Sequence, residues 1–203
     1  MSQNKQQVMA IHGGDTFTDY SEYLQFLKDF PIEPFYQGRS WRSRLAEDLG
    51  EDYEVFLPSM PNKTNARYEE WKIWFEKYLP YLRPELILIG HSLGATFLVK
   101  YLAEEKLPFK LKALFLISAP FGDSPDYVLG DFSPPSSLSQ IKESSDNIFL
   151  FHSRDDEIVP FADLDRYAKI LTDAKTCIFE DRGHFNQESL PEILELIKNL
   201  KFE

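Results

Sequence analysis

One pentapeptide constrains this chain more than any other: Gly90-His91-Ser92-Leu93-Gly94, a G-x-S-x-G. Its surroundings give it a mechanical meaning. Leu86-Ile87-Leu88-Ile89 before it is a continuous apolar run of strand type, and residues 95–103 after it can form a helix. A serine at such a strand-to-helix turn has its hydroxyl pushed out above the sheet edge. Glycines suit positions 90 and 94 because strand and helix crowd the turn and leave no room for a Cβ.

The rest of the chain repeats the same alternation. Strand-like runs at 8–11, 53–57, 86–89, 113–118, 148–151 and 176–179 are separated by segments of helical period. Helices are predicted over 20–30, 40–49 (Ser40 as N-cap, Gly50 as stop), 66–79, 161–171 and 190–200, besides the one after Ser92. Tyr68, Trp71, Phe75 and Tyr78 recur at helical spacing and are expected to face the core. The alternation predicts an α/β fold: a three-layer α/β/α sandwich on a mostly parallel sheet of about six strands, with no large cap. At 203 residues, a single domain over 1–203 is expected. The segment 121–139, rich in Gly, Pro, Ser and Asp, is the longest irregular stretch and a candidate flap. Phe30, Phe35, Tyr36 and Trp41 are candidates for a pocket wall or a dimer face.

Composition narrows the function. The formal charge is −11, from 22 basic and 33 acidic side chains, which disfavours nucleic acid and anionic membrane surfaces as partners. No apolar run approaches a membrane span, and the polar residues 1–7 do not read as a signal peptide, so a cytoplasmic location is expected. The lone Cys177 rules out an intrachain disulfide and reads as a buried strand residue rather than a nucleophile. Gly13-Gly14 is not a dinucleotide fingerprint and there is no P-loop, so no nucleotide cofactor is expected. The Asp155-Asp156 pair has no further ligands to complete a metal site.

In parallel sheets, ligands bind beyond the carboxyl ends of the strands. Ser92, His12-Gly13-Gly14, Asp155-Asp156 and His184 all follow strands. A serine hydroxyl needs a general base, and imidazole suits neutral pH. Of the four histidines, His12 precedes Ser92, His91 lies in the turn itself, and His152 ends a strand where the acid is expected. His184, in a turn after the last strand, alone fits the chain order Ser, acid, His. For the acid, the spacing Asp-x-x-Val-Pro favours Asp156. Asp155 is its rival, and Asp123 and Asp126 also satisfy the order. An oxyanion hole is expected from the N–H groups of Leu93 and Gly14, with Asp15 the alternative to Gly14.

Gly90-His91-Ser92-Leu93-Gly94, Asp156-x-x-Val-Pro and Gly183-His184-Phe185 together resemble the α/β-hydrolase superfamily. Ser59-Met60-Pro61, Tyr68-Glu69-Glu70-Trp71, Ser153-Arg154-Asp155-Asp156 and Gly183-His184-Phe185-Asn186 narrow the resemblance to the small, lidless serine hydrolases of the retinoblastoma-binding-protein and YdeN-like type. The resemblance spans nearly the whole chain. It implies a Ser92–Asp156–His184 triad, no cofactor, and a hydrolase whose natural substrate the family does not define. Residues and resemblance together point to a serine hydrolase of a small acyl substrate, as a monomer or homodimer. His12-Gly13-Gly14-Asp15 departs toward the ordinary His-Gly loop of esterases. The Leu-x-Cys-x-Glu motif is absent, so retinoblastoma-protein binding is not implied. Rival readings are a scaffold that keeps the fold without turnover, and acyl transfer or perhydrolysis on the same residues.

Overall fold

Val8-Met9-Ala10-Ile11 and Leu86-Ile87-Leu88-Ile89 carry no polar residue because the sheet they build is covered on both faces. All eight have no solvent exposure. The computed structural model describes residues 5–32, 34, 39–125 and 127–200. Its six strands are β1 (Gln6–Ile11), β2 (Tyr53–Phe56), β3 (Leu86–His91), β4 (Leu111–Ile117), β5 (Ile148–Ser153) and β6 (Lys175–Phe179). They form one sheet in the order β2-β1-β3-β4-β5-β6, with every neighbouring pair parallel. The chain runs from β1 outward to β2 and then crosses back to β3 on the other side of β1. The connections therefore reverse at β1 and β3, and a crevice opens at their carboxyl ends.

Alternate residues of each strand supply two cores. On one face, α2 (Trp41–Leu49) and α7 (Pro191–Asn199) bury Trp41, Leu45, Ile193 and Ile197 against Val8, Ala10, Ile87 and Ile89. On the other, α3 (Tyr68–Glu76), α4 (Leu93–Glu104) and α6 (Ala162–Ile170) pack Trp71, Phe75, Phe97 and Tyr167 with Met9, Ile11 and Leu88. Trp71, Phe75 and Phe97 meet edge to face at 5.7–5.8 Å, so the aromatic stripe of α3 is core, as its spacing predicts. Ser40 caps α2 as expected, but Ser43 rather than an acid returns the reciprocal bond. The chain leaves α2 through Gly50 at φ +87°, a conformation few other residues tolerate.

Three details differ from the sequence expectation. The helix expected over 66–79 ends at Glu76 and gives way to a 3-10 turn at Leu79–Tyr81, where Pro80 stops regular pairing. Cys177 is half-buried, because β6 is the sheet's edge. The segment 121–139 is not a free flap. It contains a 3-10 turn at Gly130–Phe132, and Phe132, fully buried, packs edge to face on Tyr68 and Trp71 at 5.8 and 5.1 Å. A further short helix, α5 (Ile141–Ser144), follows it. Among the described residues no helix is long and apolar enough to cross a membrane.

Outside the two covered faces stands α1 (Tyr20–Asp29). Asp19 caps it by accepting the N–H groups of Ser21 and Glu22, yet it buries none of its residues. Its aromatic side packs locally: Phe17 lies 5.1 Å from Phe26, and Phe26 lies 5.1 Å from Phe30. Such a helix draws its stability from that cluster and its cap, and it is placed over the carboxyl edge of the sheet.

Candidate active site

β3 ends in the turn that carries Ser92. Its backbone sits at φ +53°, ψ −127°, a conformation that costs about 1–3 kcal/mol for a residue with a Cβ. Hydrogen bonds hold it from both sides. Ser92 N–H donates to the Ile117 carbonyl at 2.8 Å, and the Ser92 carbonyl accepts from Ala95 and Thr96 at 2.8 and 3.2 Å. The flanking glycines are sterically required. A Cβ on Gly90 would stand 2.5 Å from Ala95 Cα, and one on Gly94 would stand 2.4 Å from the His12 carbonyl oxygen. Leu93 opens α4, so its N–H has no intrahelical acceptor, and Leu93 lines the same cavity as Ser92.

His184 reaches the same place from the far edge of the sheet. Its turn has Gly183 and Phe185 at φ +50° and +54°. Four contacts fix it. The Phe185 side chain is buried in the core, and the Phe185 carbonyl accepts from Trp41 Nε1 at 3.0 Å. Gly183 N–H donates to Asp155 at 2.9 Å, and His91 Nε2 donates to the His184 carbonyl at 2.8 Å. The imidazole Nδ1 then lies 3.1 and 3.0 Å from the two carboxylate oxygens of Asp156. Burial of Asp156 works to raise its pKa. The hydrogen bond and charge of His184, with the Val159 N–H at 3.0 Å, overcome it and hold the carboxyl at about 2. The buried Ser118 hydroxyl adds a weaker pull without closing a hydrogen bond of its own. With Nδ1 engaged by an ionised carboxylate, Nε2 is the nitrogen with the free lone pair.

Ser92 and His184 line one cavity of about 540 Å3, within the range of small-molecule sites. Gly13 and Gly14 line it beside Ser92. A Cβ on Gly13 would press on Ser92 Cβ at 3.0 Å, and one on Gly14 would meet the Lys63 carbonyl at 2.5 Å. The Asp15 N–H is taken by that Lys63 carbonyl at 2.8 Å, whereas Gly14 N–H bonds to none of the described backbone carbonyls. Of the two candidate donors after β1, the free one is Gly14. His12, which precedes them, is neutral and oriented. Its Nε2 accepts from Met60 N–H at 2.8 Å, so Nδ1 carries the proton, donated to the Gly13 carbonyl, and burial lowers its pKa.

The structure separates the acidic candidates by what each one touches. Asp156 faces His184. Asp155 instead accepts from Ser153 Oγ and Gly183 N–H, tying the His184 turn to the end of β5. Asp123 accepts Leu129 N–H at 2.7 Å and shapes the cavity rim, away from the imidazole. Asp126 lies outside the described residues, as do Phe35 and Tyr36. His152 is buried beneath the site and donates to the Val159 carbonyl at 3.0 Å, bracing the loop that holds Asp156. Burial, then the His184 charge, lowers His91 to about 3, so it stays a neutral donor. Trp41 is core.

Phe30 lines the cavity, one of the two places expected for it, but sequence reasoning missed the rest of the apolar side: Phe17 and Phe26, from α1 and its approach, with Leu129 and Ile158. It also missed Asp163, buried on α6, which accepts Phe121 N–H at 2.9 Å and Tyr127 hydroxyl at 3.3 Å and so anchors the rim. A carboxylate in the first turn of an amphipathic helix gives no sequence signal of that task. Among the described residues no three His, Cys, Asp or Glu side chains cluster as metal ligands would.

Comparison with known proteins agrees with this geometry at the level of family and fold. Residues 34–200 match the family described as serine hydrolase. The chain is 30% identical over 154 residues to serine hydrolase RBBP9 of Rattus norvegicus, covering 73% of this chain and 78% of that protein. It is 28% identical over 155 residues to YdeN of Bacillus subtilis (strain 168), covering 73% and 81%. The crystal structure of the B. subtilis ydeN gene product superposes with a TM-score of 0.73 at 24% identity, over 97% of this chain and 98% of that one. A thioesterase domain from the curacin biosynthetic pathway shares the fold alone, with a TM-score of 0.61 at 12% identity over 98% and 92% of the two chains.

Proposed function

The chain belongs to the serine hydrolase family, and on that premise we propose that it cleaves an ester, thioester or amide of a small acyl substrate through an acyl-enzyme. Ser92 Oγ attacks the acyl carbon while His184 Nε2 takes its proton. Asp156 holds the imidazole in the required tautomer and stabilises the imidazolium. The N–H groups of Leu93 and Gly14 receive the oxyanion of the tetrahedral adduct. The leaving group departs with the proton from His184. Water, deprotonated by the same imidazole, then releases the acid and restores Ser92.

The observation that carries this reading is the contact of both Asp156 oxygens with His184 Nδ1, on a cavity wall shared with Ser92. The aromatic side formed by Phe17, Phe26 and Phe30 favours a short apolar acyl group, hence carboxylesterase-type activity. A single half-buried Cys177, raised in pKa by burial, suits a reducing compartment such as the cytoplasm.

The test is labelling by a fluorophosphonate probe beside the Ser92→Ala and His184→Ala variants. Labelling of the wild type, absent in both variants, is the expected result. A folded wild type that neither labels nor hydrolyses any acyl ester overturns the proposal and favours a scaffold. Products formed with competing nucleophiles separate hydrolysis from acyl transfer.

A further inference from the structure

A second recess, of about 280 Å3, opens beyond the His12 and His91 side of the catalytic cavity. His12, Lys63, His91 and Asn186 line both, so one molecule can extend from Ser92 into the annex. The annex is as polar as the catalytic cavity is aromatic. Its ionisable lining residues are His12, Arg42, Lys63 and His91, with no acid among them, in a chain whose formal charge is −11.

The two permanent cations there have no acidic partner among the described residues. Arg42 Nε donates to the Ala10 carbonyl at 2.9 Å and Nη2 to the Pro58 carbonyl at 2.7 Å. These bonds pin the guanidinium across the exits of β1 and β2 and leave Nη1 without a hydrogen bond among the described residues. Neither Arg42 nor Lys63 forms an ion pair among the described residues. Both charges act at the shared wall. Burial is the main cause of the lowered pKa of His12 and of His91, and Arg42 adds to both and Lys63 to the first. The acid nearest in effect is Asp15, which feels Lys63 but stands beyond ion-pair distance. Burial pushes Arg42 down to about 10, the mark of a charge held away from water without a counter-ion. Lys63 is also placed by its backbone: its carbonyl accepts Asp15 N–H, and Ala66 N–H donates to the Asp15 carbonyl. The cation-bearing loop is thereby tied to the Gly13-Gly14 wall.

We propose that this annex binds an oxyanion, a carboxylate or a phosphate, carried by the substrate itself, with Arg42 and Lys63 as counter-ions and Ser59 and Asn186 as neutral donors. The preferred substrate is therefore two-ended. An apolar acyl neighbourhood lies along Phe17, Phe26 and Phe30, and a compact anion lies across the scissile bond's other side or at the far end of the acyl chain. The idea rests on Ser92 being the nucleophile, but the anion site can be read without turnover.

Two measurements test it. The first compares kcat/KM for size-matched butyrate esters whose leaving group carries a carboxylate, a phosphate or a methyl-capped neutral carboxylate, and for the same caps placed on the acyl chain. At least one anionic ester should exceed its neutral isostere tenfold or more. That ratio should shrink at least fivefold in Lys63→Met and in Arg42→Gln; if Arg42→Gln does not fold, Lys63→Met carries the comparison. The second is calorimetric titration of glutarate and of inorganic phosphate into Ser92→Ala, alone and combined with Lys63→Met. Binding weakened by Lys63→Met supports the annex, and whichever anion binds identifies the group. Anionic-to-neutral ratios within twofold, with no heat from either anion, overturn it while leaving ester hydrolysis and the reading of Ser92 intact. Anion binding in a protein inert to fluorophosphonate would do the reverse.

Discussion

Replacing His91 by glutamine should flatten the acid side of the stability curve. The His91 ring is packed 4.9 Å from the His184 ring and 6.2 Å from the Trp41 ring, and its Nε2 is committed to the His184 carbonyl. Burial, then the charge of His184, holds its pKa at about 3 in the folded protein, against 6.5 for an unperturbed histidine. Between those values the unfolded chain binds a proton that the native chain refuses. The stability contributed by neutral His91 is thus complete above pH 6.5 and drains away as pH falls toward 3. From pH 7 to pH 5 the loss amounts to about 1–2 kcal/mol, the smaller figure allowing for relaxation around a charged ring. That corresponds to a Tm change of about 2–8 °C for a chain this long. Glutamine removes the titration and keeps a side-chain donor for the His184 carbonyl. Urea melts of wild type and His91→Gln at both pH values give a double difference in which titrating groups not coupled to His91 cancel, leaving His91 and its coupling to His184. An identical pH 7 to pH 5 loss in the two proteins would refute the burial argument.

The site and scaffold give four more expectations. Asp156→Asn should lower kcat/KM on the best ester by about 10³–10⁴-fold with the fold intact by circular dichroism, since an amide no longer selects the His184 tautomer. Because Asp156 is held at about 2, its share of stability is present above the ordinary carboxylate range and is lost only as pH falls from about 4 toward 2. Gly94→Ala forces a Cβ to within 2.4 and 2.8 Å of the His12 and Ile11 carbonyl oxygens, both backbone, and should cost about 3 kcal/mol or more in denaturant unfolding. Phe132→Ala empties a fully buried aromatic position and should cost about 3–5 kcal/mol. It should also raise KM, because the Tyr127–Leu129 rim is anchored beside it, and an unchanged KM would separate that rim from substrate.

The strands and their sheet were legible because apolar runs of strand length alternate with helical periods, and that pattern has few other solutions. Ser92 and His184 were legible for a different reason. A tight turn needs Gly90 and Gly94, and the chain order left only one suitable histidine. Boundaries were less visible. The α3 helix stops at Glu76 although its period runs on, since Pro80 and the packing of Leu79 and Leu82 decide where the chain turns. The 121–139 stretch looks irregular in sequence, yet Leu129, Phe132 and Leu138 are buried and anchor it to the core while its polar residues stay at the surface.

Sequence by itself determined the local requirements: which segments are strands, which glycines a turn demands, and which residue types could do acyl chemistry. Tertiary structure decided between equals. Asp155 and Asp156 are adjacent and chemically identical. Only the approach of the Gly183–His184 turn makes one a tether for Gly183 N–H and the other the partner of the imidazole. Gly14 and Asp15 offer the same N–H group, and only the docking of the Lys63 carbonyl occupies one and leaves the other open. Arg42 and Lys63 stand 21 positions apart and share a recess only because β1 and β2 are neighbours in the sheet. Spacing along a chain sets periodicity, but contacts between distant segments depend on where strand order and loop docking bring them, and that is settled in three dimensions.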